Sequence, residues 1–164
     1  MKSLLDGLIP GLLDPQARDL ALEVQWWSLQ GMGLETPFPV AVVGQGPPLL
    51  MLHGFDSSFL EFRRLAPLLA DRFQLFIPDL FGFGFSPRPP QAAYGPEAVL
   101  RHLDALMAHL DADGSIGVIG ASMGGAVAVE LARRQPDRIH QLLLLAPAGL
   151  TGRPMPVPPL LDRL

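Results

Sequence analysis

Apolar residues along this chain fall into short unbroken runs, separated by stretches with helical spacing. Leu49, Leu50, Met51 and Leu52 form one run that ends at His53-Gly54, and another over 73–77 ends at Pro78-Asp79. Runs at 39–43, 116–119 and 139–145 have the same character. Continuous apolar runs of this length read as strands covered on both faces, the habit of parallel sheets. Between them, Val99, Leu103, Leu106 and Leu110 recur at i, i+4, i+7 and i+11, which predicts a helix over 96–110 with Pro96 in its first turn. A helix rich in small residues is predicted over 123–135. Another is predicted over 59–70, capped by Ser57 or Ser58, with Pro67 near its end. Gly82-Phe83-Gly84-Phe85-Ser86-Pro87 cannot be helix or central strand and reads as a loop. The alternation of strand and helix predicts an α/β fold, a mostly parallel sheet with helices on both faces.

Upstream of this alternation, Leu4, Leu5, Leu8, Ile9, Leu12 and Leu13 fit an amphipathic helix interrupted by Asp6 and Pro10. Packing against the domain is the preferred reading, and contact with a membrane surface is the alternative. No small-residue cleavage site follows, so no signal peptide is read. No apolar run approaches the ~18–20 residues of a membrane span, so a cytoplasmic protein is expected. The expected division is an N-terminal helical segment over 1–35, a core over 36–150 and a proline-rich tail over 151–164.

Composition narrows the function classes. A chain of 164 residues, 49% of them apolar, is long enough for one domain with a real core. The net charge of −4 offers no basic surface for nucleic acid, and no nucleic-acid partner is expected. The absence of cysteine excludes disulfide scaffolds, cysteine zinc sites and thiol catalysis. Gly82-Phe83-Gly84 lacks the third glycine and helix start of a dinucleotide loop, and no cofactor is expected.

The chemistry concentrates at Gly120-Ala121-Ser122-Met123-Gly124-Gly125, a G-x-S-x-G pattern between a predicted strand and a predicted helix. A serine at such a corner sits on a sharp, strained turn that lifts its hydroxyl clear of the sheet. Gly120 and Gly124 are required where side chains would collide with the neighbouring strand and helix. Acyl transfer also needs backbone N–H groups for a developing oxyanion. The N–H of Met123 is one candidate. The N–H of Phe55, after the strand that ends at His53-Gly54, is the other. The bland alternative is a glycine-rich turn carrying a solvated serine.

His53-Gly54-Phe55, then Asp79-Leu80-Phe81-Gly82-Phe83-Gly84-Phe85-Ser86, then Gly120 to Gly125 resemble the α/β-hydrolase superfamily in order and spacing. The D-x-x-G-x-G-x-S stretch is similar to the group of esterases, C–C-bond hydrolases, epoxide hydrolases and dehalogenases. The run 53–63 looks particularly like cyanobacterial and plastid members. The resemblance implies Ser122 as nucleophile and Phe55 and Met123 as the oxyanion hole, with His53, Gly54, Asp79, Gly120 and Gly124 in support. Epoxide hydrolases and dehalogenases carry aspartate at the nucleophile position, so Ser122 argues against both.

The same resemblance implies an acid and then a histidine after the serine, and neither has a matching position here. His140 begins the run 139–145, a strand length from Ser122, on the order of 20 Å. His102 and His109 lie seven apart on the predicted helix, off its apolar face; they are expected to be solvated, and no metal site is expected. An in-chain triad of Ser122, His53 and Asp79 remains conceivable. In the blander reading, His53 buttresses the oxyanion loop and Asp79 bonds the turn through Gly82 and Gly84. The simplest account is a chain that stops before the last strands, lid and histidine loop. Leu142 to Leu145 would then be an open sheet edge, prone to self-association or to pairing with a complementing chain.

Two functions follow. One is a serine hydrolase of carboxylic esters or related acyl substrates, its base and acid lying outside this chain. The other is a non-catalytic hydrolase-derived fragment or binding module, or half of a two-chain enzyme. Phe55, Phe59, Phe81, Phe83 and Phe85 are placed in loops on the site side, which suits a small-molecule substrate with an apolar acyl or alcohol group, unless they only plug the space above the sheet.

Overall fold

The computed structural model describes residues 4–110 and 114–149. Its centre is a six-stranded sheet of β1 (Val24–Trp27), β2 (Phe38–Val43), β3 (Pro48–Leu52), β4 (Gln74–Pro78), β5 (Ile116–Ala121) and β6 (Ile139–Leu145). Their order across the sheet is β1-β2-β4-β3-β5-β6. β2 pairs antiparallel with β1 and β4, and the remaining pairs are parallel. β3 therefore lies between β4 and β5, which brings the loops after Leu52, Pro78 and Ala121 to one edge of the sheet.

The continuous apolar runs have a direct cause: both faces of the central strands are covered. Leu50, Leu52, Phe76 and Val118 point into one cluster with Leu103, Leu106 and Met107 of α4 (Pro96–His109) and Leu131 of α5 (Met123–Arg134). Their neighbours Leu49, Met51, Leu75, Ile77 and Ile119 point into a second cluster with Leu5, Leu20, Phe59 and Phe62. Each strand thus contributes alternate residues to two cores, as the pleat requires.

Four expectations change. The helix expected over 59–70 is two pieces, a 3₁₀ turn at Phe59–Phe62 and α3 at Ala66–Leu69. Ser58 Oγ accepts from Leu60 N–H, and the second piece starts at Ala66 with Pro67, which has no N–H to donate, in its first turn. The leucine-rich start is not one helix but α1 (Leu4–Leu8) followed by a 3₁₀ turn at Ile9–Gly11, and a separate helix α2 (Pro15–Leu22) comes after it. Leu5 is buried, whereas Leu4, Leu8 and Leu13 face outward. Strand β1 lies inside the stretch read as helical and joins the sheet edge. His102, expected in solvent, is fully buried and stacked on Phe38 with ring centroids 4.7 Å apart. The apolar face of α4 is wider than the four-residue stripe indicates, spanning Ala98, Val99, Leu100, Leu103, Leu106 and Met107, so His102 falls within it. His109 is exposed and lies against Trp27.

At the far edge, β6 is half open: Leu142, Leu143 and Leu145 are all exposed, Leu143 to 54%. The proline-rich stretch 151–164 lies outside the described residues. Among the described residues no helix is long and apolar enough to cross a membrane.

Candidate active site

Ser122 occupies the corner between β5 and α5 with φ 50° and ψ −116°, a left-handed conformation for a residue with a side chain. Such a conformation costs on the order of 1–3 kcal/mol and persists only where its surroundings over-determine it. Here they do. Ser122 N–H donates to Leu145 O at 3.0 Å, and Ser122 O accepts from Ala148 N–H at 2.8 Å and Gly125 N–H at 3.0 Å. The corner also requires close backbone approach. A Cβ on Gly124 would strike Leu52 O, and one on Gly120 would strike Gly124 O. Ser122 is exposed, and no protein group among the described residues bonds its hydroxyl.

The loop after β3 closes in from the side. A Cβ on Gly54 would lie 3.3 Å from Ser122 Cβ, so the backbone at 54 is seated directly against the serine. Gly54 O meets His53 Nδ1 at 2.8 Å, and Leu80 N–H donates to His53 Nε2 at 2.9 Å. Because Nε2 accepts, the proton sits on Nδ1 and donates to Gly54 O. The Gly54–Phe55 peptide is trans, so its N–H points away from His53. Among the described residues no group accepts from the N–H of Phe55 or of Met123, the first residue of α5.

His53 is fully buried, and burial holds its pKa below the ordinary imidazole value. Both ring nitrogens are spent on the backbone, and neither reaches Ser122 or Asp79. The in-chain triad therefore fails.

Asp79, also fully buried, is an anchor between loops. Its Oδ1 accepts from Phe59 N–H and its Oδ2 from Phe85 N–H, each at 2.6 Å, and its backbone oxygen accepts from Ser86 Oγ at 2.7 Å. The bond to Phe85 holds the turn through Gly82 and Gly84, with Gly84 packed directly on the carboxylate, and the bond to Phe59 ties in a second loop. Burial pushes the Asp79 carboxyl up to about 6, against the opposing pull of those two N–H donors and Arg88. His140 sits at the opposite end of β6 from Leu145, the residue paired with Ala121. Five residues of strand separate His140 from that end, about 17 Å. None of the four histidines is positioned to take a proton from Ser122.

Glu61 is the site residue that sequence reasoning missed. Its Oε2 accepts from Gly54 N–H at 2.8 Å. The available signal was Ser58-Phe59-Leu60-Glu61, the spacing of a capping box. In such a box the glutamate reaches back to the capping residue's own N–H, whereas here it reaches the loop beside Ser122.

Next to Phe55 and Met123 opens an apolar groove of about 640 Å³. It runs along α5 past Val127 and is walled by Phe81, Phe83, Tyr94 and Val99. Phe55 is 71% exposed at its rim and meets Phe83 edge to face at 5.5 Å. Phe59 and Phe85, expected around the site, pack together on the other face of the sheet. Among the described residues no three His, Asp or Glu side chains form a group able to hold a metal.

A family model described as alpha/beta hydrolase fold matches residues 47–163. The chain is 33% identical over 111 residues to 2-hydroxymuconate semialdehyde hydrolase of Pseudomonas sp. (strain CF600), covering 66% of this chain and 39% of that protein. It is 39% identical over 111 residues to Lipase 1 of Psychrobacter immobilis, covering 68% of this chain and 35% of that one. The solved meta-cleavage product hydrolase from Pseudomonas fluorescens IP01 superimposes with a TM-score of 0.68 at 27% identity, over 78% of this chain and 47% of that one. The chain thus covers between about a third and just under half of the length of these relatives.

Proposed function

Because this chain belongs to the alpha/beta hydrolase family, we propose that it carries the nucleophile half of a serine hydrolase acting on carboxylic esters or related acyl compounds. The observation that carries the proposal is the conjunction at Ser122. A strained corner presents a hydroxyl with no partner among the described residues, and none of those residues accepts from the N–H groups of Phe55 and Met123. Ser122 Oγ attacks the carbonyl carbon, and the carbonyl π electrons move onto oxygen. The two N–H groups and the amino end of α5 receive that charge. Collapse of the adduct expels the alcohol and leaves an acyl-serine, which water then hydrolyses. The serine proton passes to a base contributed from outside these 164 residues, since His53 is committed to the backbone and the other histidines lie elsewhere. Gly54 and Asp79 hold the loops, and Gly120 and Gly124 allow the corner to close. The apolar groove favours a substrate whose acyl or alcohol part is hydrocarbon-rich, without a phosphate.

A fluorophosphonate probe tests this reading. Mass spectrometry should find the label on Ser122, and S122A should lose it. A competing reading, a non-catalytic assembly module, is favoured by the exposed leucines of β6. It predicts a folded chain that the probe does not label.

A further inference from the structure

Gly54 is the residue whose placement decides where the Phe55 N–H points, and glycine is the residue least able to hold a conformation by itself. It has no side chain to pack, and a Cβ there would press on Ser122 Cβ at 3.3 Å while making ordinary contact with Glu61 Oε2 at 3.5 Å. Its two flanking peptide planes are instead held from outside. The plane that follows is held by the His53 ring through Gly54 O at 2.8 Å. The plane that precedes is held by Glu61, which accepts from Gly54 N–H at 2.8 Å. His53 is itself fixed by Leu80 N–H and by complete burial. Glu61 is exposed and rises from a turn capped by Ser58.

A carboxylate this close to the seat of a developing anion is electrostatically unfavourable, so its presence calls for another reason. We infer that Glu61 is a positioning residue for the oxyanion-binding loop: by holding Gly54 N–H it fixes the backbone so that Phe55 N–H faces the oxygen bound at Ser122. Glu61 does not touch substrate and transfers no proton. Its contribution is one charge-assisted hydrogen bond that removes a rotation from glycine. This rests on the reading of Ser122 as nucleophile.

The test compares wild type, E61A, E61Q and S122A in the full chain by two measurements. The first is the rate of Ser122 labelling by a fluorophosphonate. In that reaction the Oγ–P bond forms, fluoride leaves and the hydroxyl proton passes to buffer base, while the phosphoryl oxygen occupies the oxyanion position. Removing one oxyanion donor outright costs about 10²–10³ in rate, and loosening one costs a part of that. E61A should therefore label about tenfold more slowly. E61Q keeps an acceptor oxygen and should label within about threefold of wild type, which a charge effect would not produce. The second measurement is hydrogen exchange at the Gly54 amide, which should quicken about tenfold or more in E61A and stay protected in E61Q. Wild-type labelling or unchanged Gly54 exchange in E61A overturns the inference, as does equal loss in E61A and E61Q. Failure of wild type to label, or label persisting in S122A, overturns the nucleophile reading, while Gly54 exchange still decides whether Glu61 clamps the loop.

Discussion

Replacing His102 with leucine should make the protein less sensitive to acid. The imidazole is fully buried on α4 against Phe38, and neither ring nitrogen has a partner among the described residues. Burial, with a smaller contribution from His53, pushes its pKa down to about 3. In the unfolded chain the same ring titrates near 6.5. Above pH 6.5 both states leave it neutral, and it contributes no pH dependence. Below 6.5 the unfolded chain takes a proton that the folded chain refuses, and stability falls by about 1.4 kcal/mol per pH unit until about pH 3. Between pH 7 and pH 5 the loss is about 2 kcal/mol. H102L removes this term and also the desolvated imidazole, at similar volume. Urea unfolding followed by far-UV circular dichroism at both pH values measures it. His53 and Asp79 titrate in opposite senses, but both are present in each protein and cancel in the difference. The stability gap between H102L and wild type should widen by about 2 kcal/mol from pH 7 to pH 5. An unchanged gap would mean that His102 takes up its proton inside the fold, and the reasoning would be wrong.

Two further outcomes test the packing of the site and of the sheet edge. G124A places a methyl group against Leu52 O, where backbone must move; it should cost about 2–4 kcal/mol in urea unfolding, as severe overpacking does, and abolish Ser122 labelling. A chain of residues 1–164 should self-associate through the leucines of β6, seen as concentration-dependent sedimentation, and L143E should shift it toward monomer.

Much of the scaffold was legible because its signals are local. The runs at 39–43, 49–52, 73–77, 116–119 and 139–145 correspond to β2 through β6 within about a residue at most ends. The helices over 96–110 and 123–135 correspond to α4 and α5. The sharp turn at Ser122 was readable from the spacing of Gly120 and Gly124 around it, although the atom that excludes a Cβ at 124 is Leu52 O, distant in sequence. Strand β1 was not readable: its four residues, Val24 to Trp27, show only intermediate or exposed burial and make an edge strand without a continuous apolar run. The helical stretch 59–70 was readable as helical but not as two pieces, and the bond that ties its start to Asp79, twenty residues away, was not readable at all.

What the sequence by itself determined is the order of strands and helices and the cluster of serine and glycine residues at strand ends, since hydrophobic periodicity and turn-residue patterns are local signals. Only the tertiary structure decided which polar groups remain available. His53 gives both nitrogens to the backbone, His102 is sealed on the inner face of α4 against Phe38, and Glu61 turns to Gly54 instead of capping its own turn. The physical reason is that a polar group finds a partner, as His53 and Glu61 do, or none among the described residues, as at His102, according to what the packed chain brings within about 3 Å. That partner is fixed by the sheet's order across the fold, which no local pattern encodes.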